Sequence, residues 1–188
     1  MRKLLTILLL FFSITTYSQC VSNQSFTLTP PGPYQPGDVV VVNYTLGTFT
    51  QLNVNWIIAF EIDLGVGWTN LTPITAPGNP GGSTGFWLWD VQNTFPSGLN
   101  FGPGWRFVNA SAFNPDWGTS STGPFTMSFQ VTVGPTCIPD NLLIGMNVFG
   151  DCLTGGWNNG ACCSDPVYQI YNGNVQVVLP ITSNINHY

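Results

Sequence analysis

The stretch Asn53-Val54-Asn55-Trp56-Ile57-Ile58-Ala59-Phe60-Glu61-Ile62-Asp63-Leu64 decides the fold class. A two-residue period places Trp56, Ile58, Phe60, Ile62 and Leu64 on one face and Ile57, Ala59, Glu61 and Asp63 on the other. The first set is uniformly apolar, as a core face requires. The second turns polar toward its end, as a face emerging into solvent does. Phe125–Val133 repeats the pattern, with Phe125, Met127, Phe129, Val131 and Val133 against Thr126, Ser128, Gln130 and Thr132. Both are strands packed on one side.

Outward from these, strand signals recur at Val21–Thr29, Val39–Leu46, Phe86–Val91, Trp105–Asn109, Leu142–Phe149 and Val167–Leu179. Turn-forming stretches separate them: Pro30–Asp38, Pro73–Gly85 and Gly98–Gly104. The 21 glycines and 15 prolines interrupt the chain too often for helices of ordinary length. The prediction is an all-β protein, a single antiparallel β-sandwich, immunoglobulin-like or jelly-roll-like, of about eight or nine strands. A closed barrel is the alternative. Residues 20–180 read as one domain without internal repeats, followed by a tail over 181–188.

The first nineteen residues read as a secretory signal peptide. Arg2 and Lys3 precede the apolar run Leu4–Phe12, which at 9 residues is far short of a membrane span. Thr16 and Ser18 sit at −3 and −1 of a cut before Gln19. The competing reading is a lipid on Cys20, which Gln19 fits poorly. Once the signal is removed, Arg106 is the only basic side chain left against eight acids, a net charge of −7. One cation cannot neutralise a run of phosphates, which argues against nucleic acid as a partner, and against anionic lipid for the same reason. No later apolar run reaches spanning length. Apolar residues at 44% and aromatics at 14% suffice for a packed core. The surface is then mostly Asn, Thr, Ser, Gln and Gly, which suits a secreted or cell-surface protein.

Five cysteines, Cys20, Cys137, Cys152, Cys162 and Cys163, allow at most two disulfides. Candidates for bridging are Cys137, Cys152, Cys162 and Cys163, with Cys152 joined to Cys162 or Cys163 the leading pairing. Zinc is disfavoured, since adjacent Cys162–Cys163 form no C-x₂-C clasp and no histidine is near. Asn114, Asp116 and Asp151 are the candidate calcium ligands, but the chain lacks an EF-hand loop. No metal and no cofactor is therefore predicted. The Gly78–Gly85 stretch has the glycines of a phosphate cradle without its lysine, and reads as a flexible loop.

The catalytic inventory is thin. The single histidine, His187, stands next to the C-terminal residue, and no lysine survives signal removal. Glu61 and Asp63 are the one carboxylate pair worth weighing, about 6–7 Å apart on a shared strand face, near the range of glycosidase acid pairs. A solvated strand end is the plainer reading. Seven tryptophans are the most suggestive feature. Trp87 and Trp89 share a strand face, as sugar platforms do, while Trp105 and Trp157 stand at glycine-flanked turns. These four are the candidate ligand-binding residues, although buried tryptophan is common in sandwiches.

The ordered elements Pro30-Pro31-Gly32-Pro33-Tyr34-Gln35-Pro36-Gly37-Asp38-Val39-Val40, Asn55-Trp56-Ile57, Gly102-Pro103-Gly104-Trp105-Arg106-Phe107-Val108 and Thr154-Gly155-Gly156-Trp157-Asn158-Asn159 carry a resemblance. Across about residues 20–179 the chain resembles secreted β-sandwich domains of gliding, type IX-secreting bacteria. Those domains are often found upstream of a sorting or gliding-motility-associated C-terminal domain. The resemblance implies a secreted sandwich and no catalytic residues. The chain leaves no room after Thr182 for a sorting domain, so periplasmic residence stands beside the cell surface as a destination. The leading functional expectation is a non-enzymatic extracellular protein in adhesion or surface structure, with a glycan or a surface protein as partner. A carbohydrate-binding module is the second, and a hydrolase using Glu61 and Asp63 the third.

Overall fold

In a computed structural model the described residues are 21–50, 56–94, 100–111, 117–135, 142–151 and 164–167. They form eleven strands and no helix. These are β1 (Val21–Thr29), β2 (Val39–Phe49), β3 (Ile57–Leu64), β4 (Trp68–Thr75), β5 (Gly85–Asp90), β6 (Asn93–Thr94), β7 (Asn100–Phe101), β8 (Gly104–Asn109), β9 (Phe125–Val133), β10 (Ile144–Gly150) and β11 (Ser164–Val167). One sheet has the order β1-β2-β9-β4, a second β11-β10-β3-β8-β5, and β6 and β7 form a small ribbon. Every pairing is antiparallel. Two separate sheets make this a sandwich, not a closed barrel.

With β1, β2, β3, β4, β9, β10 and β11 lettered A to G in chain order, the sheets read A-B-E-D and G-F-C. That is the arrangement of a constant-type immunoglobulin sandwich. The segment β5–β8 is an insertion between the fourth and fifth of those strands. It pairs with β3 and widens the second sheet by two strands.

Alternation builds the core. Val40, Val42, Tyr44 and Leu46 of β2 face Phe125, Met127, Phe129 and Val131 of β9 along one sheet, all fully buried. Phe60 of β3 meets them from the second sheet, its ring 6.2 Å from Tyr44 and 5.4 Å from Phe125. Burying one such ring contributes roughly 1.5–3 kcal/mol.

The expected parity of β3 holds for Phe60, Glu61, Ile62 and Asp63 and changes at its start. Opposite Phe149/Gly150 of the partner strand, β3 carries one extra residue, Ile58, and such a bulge reverses which side chains face inward. Ile57 therefore joins the main core, while Ile58 packs with Ala59, Phe101 and Phe149 in a smaller cluster. Trp56, expected in the core, is half-buried, its ring 5.8 Å from Trp117.

The structure adds a strand and orders the loop expected over Pro73–Gly85. Trp68–Thr75 is an edge strand, broken in register at Thr69/Thr72 and Pro73/Thr75, and an edge tolerates Pro73 because one side needs no donor. The glycine-rich stretch after it is strapped down. Asn79 Nδ2 donates to Ser83 O at 2.7 Å, Thr119 Oγ1 donates to Asn79 Oδ1, and Ser121 Oγ donates to Pro80 O at 2.8 Å.

Tyr44 carries a consequence of burial. Its hydroxyl donates to Gln24 Oε1 at 2.5 Å, and burial pushes the phenol far above its ordinary range. The unfolded chain ionises this group near pH 10, whereas the folded chain keeps it protonated. The stability it supplies is intact below about pH 10 and falls as pH rises toward the folded value, by about 1.4 kcal/mol per pH unit. Thermal melts between pH 8 and 11 are expected to show this decline, and Tyr44→Phe to flatten it by one proton's worth.

Candidate functional site

The two outer surfaces of the sandwich differ in chemistry. Outward positions of the four-stranded sheet are mostly polar and uncharged, among them Ser25, Thr27, Asn43, Thr45, Thr126, Gln130 and Thr132, with the apolar Val39 and Val41 beside them. The five-stranded sheet turns Glu61 and Asp63 of β3, Asn147 of β10, Arg106 of β8, and Phe86, Leu88 and Asp90 of β5 outward. Phe86, Leu88 and nearby Val91 are 58%, 42% and 70% exposed.

Glu61 lies at the centre of this face. Its Oε1 accepts from Gly102 N at 3.0 Å and its Oε2 from Asn147 Nδ2 at 2.8 Å. The first bond ties the turn before β8 to β3, and the second ties β3 to β10, so the carboxylate is held in one orientation. Ile62 N donates to Pro103 O at 2.8 Å alongside. Two glycines permit this approach. Gly102 has φ +119°, and a Cβ there would lie 2.6 Å from Val91 O. A Cβ on Gly104 would lie 2.0 Å from Phe60 O. No other residue type fits at either position.

Two hollows share Glu61 in their walls. One, about 460 Å³, is lined by Glu61, Asp63, Leu64, Pro103 and Asn147. The other, about 370 Å³, is lined by Glu61, Val91, Gln92, Asn100 and Phe101. Gly102 borders both, so together they form a groove across β10, β3 and the β6–β7 ribbon. Neither lining contains a basic side chain. Arg106 stands beyond it, its Nε 3.5 Å from Asp90 Oδ2 in a partly exposed ion pair.

The structure brings Glu61 and Asp63 together, on one face and in one hollow. It treats the tryptophans differently from expectation. Trp87 and Trp89 do share a strand face, but that face points into the core. Trp87 is buried, 5.2 Å from Phe60 and 5.3 Å from Phe107, with Nε1 donating to Gly78 O at 3.2 Å. Trp105 is buried as well, and Trp89 packs half-buried at 5.2 Å from it. None of these three presents an open ring platform. Alternation on β5 offers Phe86 and Leu88 to solvent instead. Trp157, His187 and all five cysteines, including Cys137, Cys152, Cys162 and Cys163, lie outside the described residues.

Asp151, a candidate cation ligand by sequence, is buried. Its Oδ1 accepts from Trp56 N at 3.3 Å and its Oδ2 from Gly118 N at 2.9 Å, stitching the start of β3 to the end of β10. Asn114 and Asp116 lie outside the described residues. Among the described residues no three His, Cys, Asp or Glu side chains gather as a metal site would require. Asn147, Gly102, Asn100 and Gln92 were not foreseen. Asn147 reaches Glu61 only through a register that pairs residues 86 positions apart.

Glu61→Ala removes the acceptor for Gly102 N and the partner of Asn147, and is expected to cost about 1–3 kcal/mol. It should also speed hydrogen exchange at the Gly102 amide. Asp63→Asn, at an exposed position, is expected to stay within about 0.5 kcal/mol of the parent. Chemical denaturation with amide exchange reads both.

The chain matches no protein-family model, no curated protein and no solved structure, so its function is argued from this face.

Proposed function

We infer that the protein is secreted and works by contact, without turnover, in adhesion or in the structure of a cell surface or matrix. One observation carries this reading. Three exposed apolar side chains and a hydrogen-bonding groove are gathered on the outer face of the five-stranded sheet, whereas the four-stranded sheet is mostly polar outside, with Val39 and Ile74 as its large exposed apolar side chains among the described residues. An exposed phenylalanine, leucine and valine close together are costly in water unless they meet a partner. The insertion β5–β8 supplies all three, and adds them to a sandwich whose seven-stranded frame is complete without them.

The groove is also the strongest place to look for hydrolysis, since Glu61 and Asp63 border it together. Both oxygens of Glu61 already serve as anchors for Gly102 and Asn147. That places the carboxylate in the framework of the face, a role that needs no substrate.

The test uses the full chain expressed with its own N-terminal segment. The protein is expected in the extracellular or surface fraction, retained on the producing cells. Replacing Phe86, Leu88 and Val91 together by serine should release it without lowering its melting temperature. A panel of soluble glycans should yield no reducing ends. Glycan cleavage that Glu61→Gln abolishes, or full surface retention of the triple variant, would contradict the reading.

A further inference from the structure

We propose that the groove receives an extended, basic segment of a protein partner, with lysine or arginine at alternate positions and apolar residues following. The proposal rests on the contact reading above and names the chemistry of the partner. Charge complementarity is its first support. Glu61 and Asp63 border the larger hollow with no cation in its lining. The one basic side chain among the described residues, Arg106, is paired with Asp90. An anionic ligand is repelled there, and a cation is attracted with little competition from the protein itself.

Spacing is the second support. Alternate residues of β3 stand about 6.5–7 Å apart along the strand, and alternate side chains of an extended ligand repeat at the same interval. Two basic side chains so spaced meet Glu61 and Asp63 one to one. The hydrogen bonds from Gly102 N and Asn147 Nδ2 fix the Glu61 carboxylate, yet each of its oxygens retains a second lone pair for an incoming donor. Orientation therefore costs nothing further on binding, as preorganisation requires.

Continuity with apolar surface is the third. Val91 lines the smaller hollow, and Phe86 and Leu88 lie on the same face of the adjoining strand. A segment that leaves its basic side chains at Asp63 and Glu61 and runs past Gly102 reaches this strip with its next residues. A metal ion fits less well, because the third acidic ligand is missing among the described residues. A neutral glycan would use the groove without drawing on its charge.

The probe is a fluorescein-labelled nonapeptide, basic at positions two and four and apolar at positions six and eight. Two controls carry glutamine or glutamate at the basic positions. Fluorescence anisotropy with the full mature chain should show binding of the basic peptide that weakens steeply between 50 and 500 mM salt, roughly as screening dictates. The glutamate control should not bind. Asp63→Asn should weaken binding about two- to five-fold, the scale of one exposed ion pair, and Leu88→Ser by a comparable factor. Equal binding of the basic and glutamine peptides, or an unchanged affinity in Asp63→Asn, would overturn the proposal. Competition by a neutral soluble glycan or by calcium at low salt would overturn it in favour of those ligands. Absence of peptide binding while the Phe86/Leu88/Val91 variant still loses surface retention would remove the basic segment and leave the contact reading standing. Full retention of that variant would remove the contact reading itself.

Discussion

The packing of β3 is the constraint on which the rest depends. Its inward residues, Phe60 and Ile62, lie in the core, with the Phe60 ring near Tyr44, Trp87 and Phe125. Its outward residues, Glu61 and Asp63, border the groove. Because alternate side chains of a strand point oppositely, burying the first pair presents the second. The position of this face is thus fixed by the core beneath it. A one-residue slip of β3 would turn the carboxylates inward, unpaired, at a cost no local adjustment offsets.

The insertion β5–β8 adds to this frame in two ways. It widens the sheet, and through Gly102-Pro103-Gly104 it presses a turn onto β3. The approach is close enough that neither glycine has room for a methyl group. The outward carboxylate of β3 then receives the Gly102 amide, so the bond that docks the insertion also orients the central acid of the groove. Framework and surface share one residue. That sharing explains why a chain with so few charges keeps one half-buried in a sheet interior: Glu61 is satisfied by fixed donors, while its neighbour Asp63 is exposed.

Much of the fold was legible because burial on one side imprints a period. Val21–Thr29 and Phe125–Val133 match their expected bounds, and β2, β5, β8 and β10 fall within a few residues of theirs. β4 was illegible because it is an edge with two register breaks and a proline, so it carries neither alternation nor uniform apolarity. The start of β3 misled for a related reason, since the bulge at Ile58 that reverses its parity is set by pairing with β10, which the local pattern does not show. Of the site, Glu61 and Asp63 could be singled out from one strand alone. Their partners Gly102 and Asn147 are brought in by tertiary register, which no local pattern encodes. The tryptophans show the limit from the other side. Alternation correctly put Trp87 and Trp89 on one face, but on a strand with Phe86 and Leu88 between and before them, both faces are apolar. Which one turns inward is decided by the sheet opposite.

The central claim is that the protein meets its surroundings through the outer face of the five-stranded sheet. Carbodiimide labelling of carboxylates, read by mass spectrometry on free and surface-retained protein, tests it most directly. The account predicts that labelling of Asp63 and Asp90 falls on retention, while Asp38, in the turn before β2, labels equally in both states. Loss of labelling at Asp38 with Asp63 and Asp90 unchanged would contradict it.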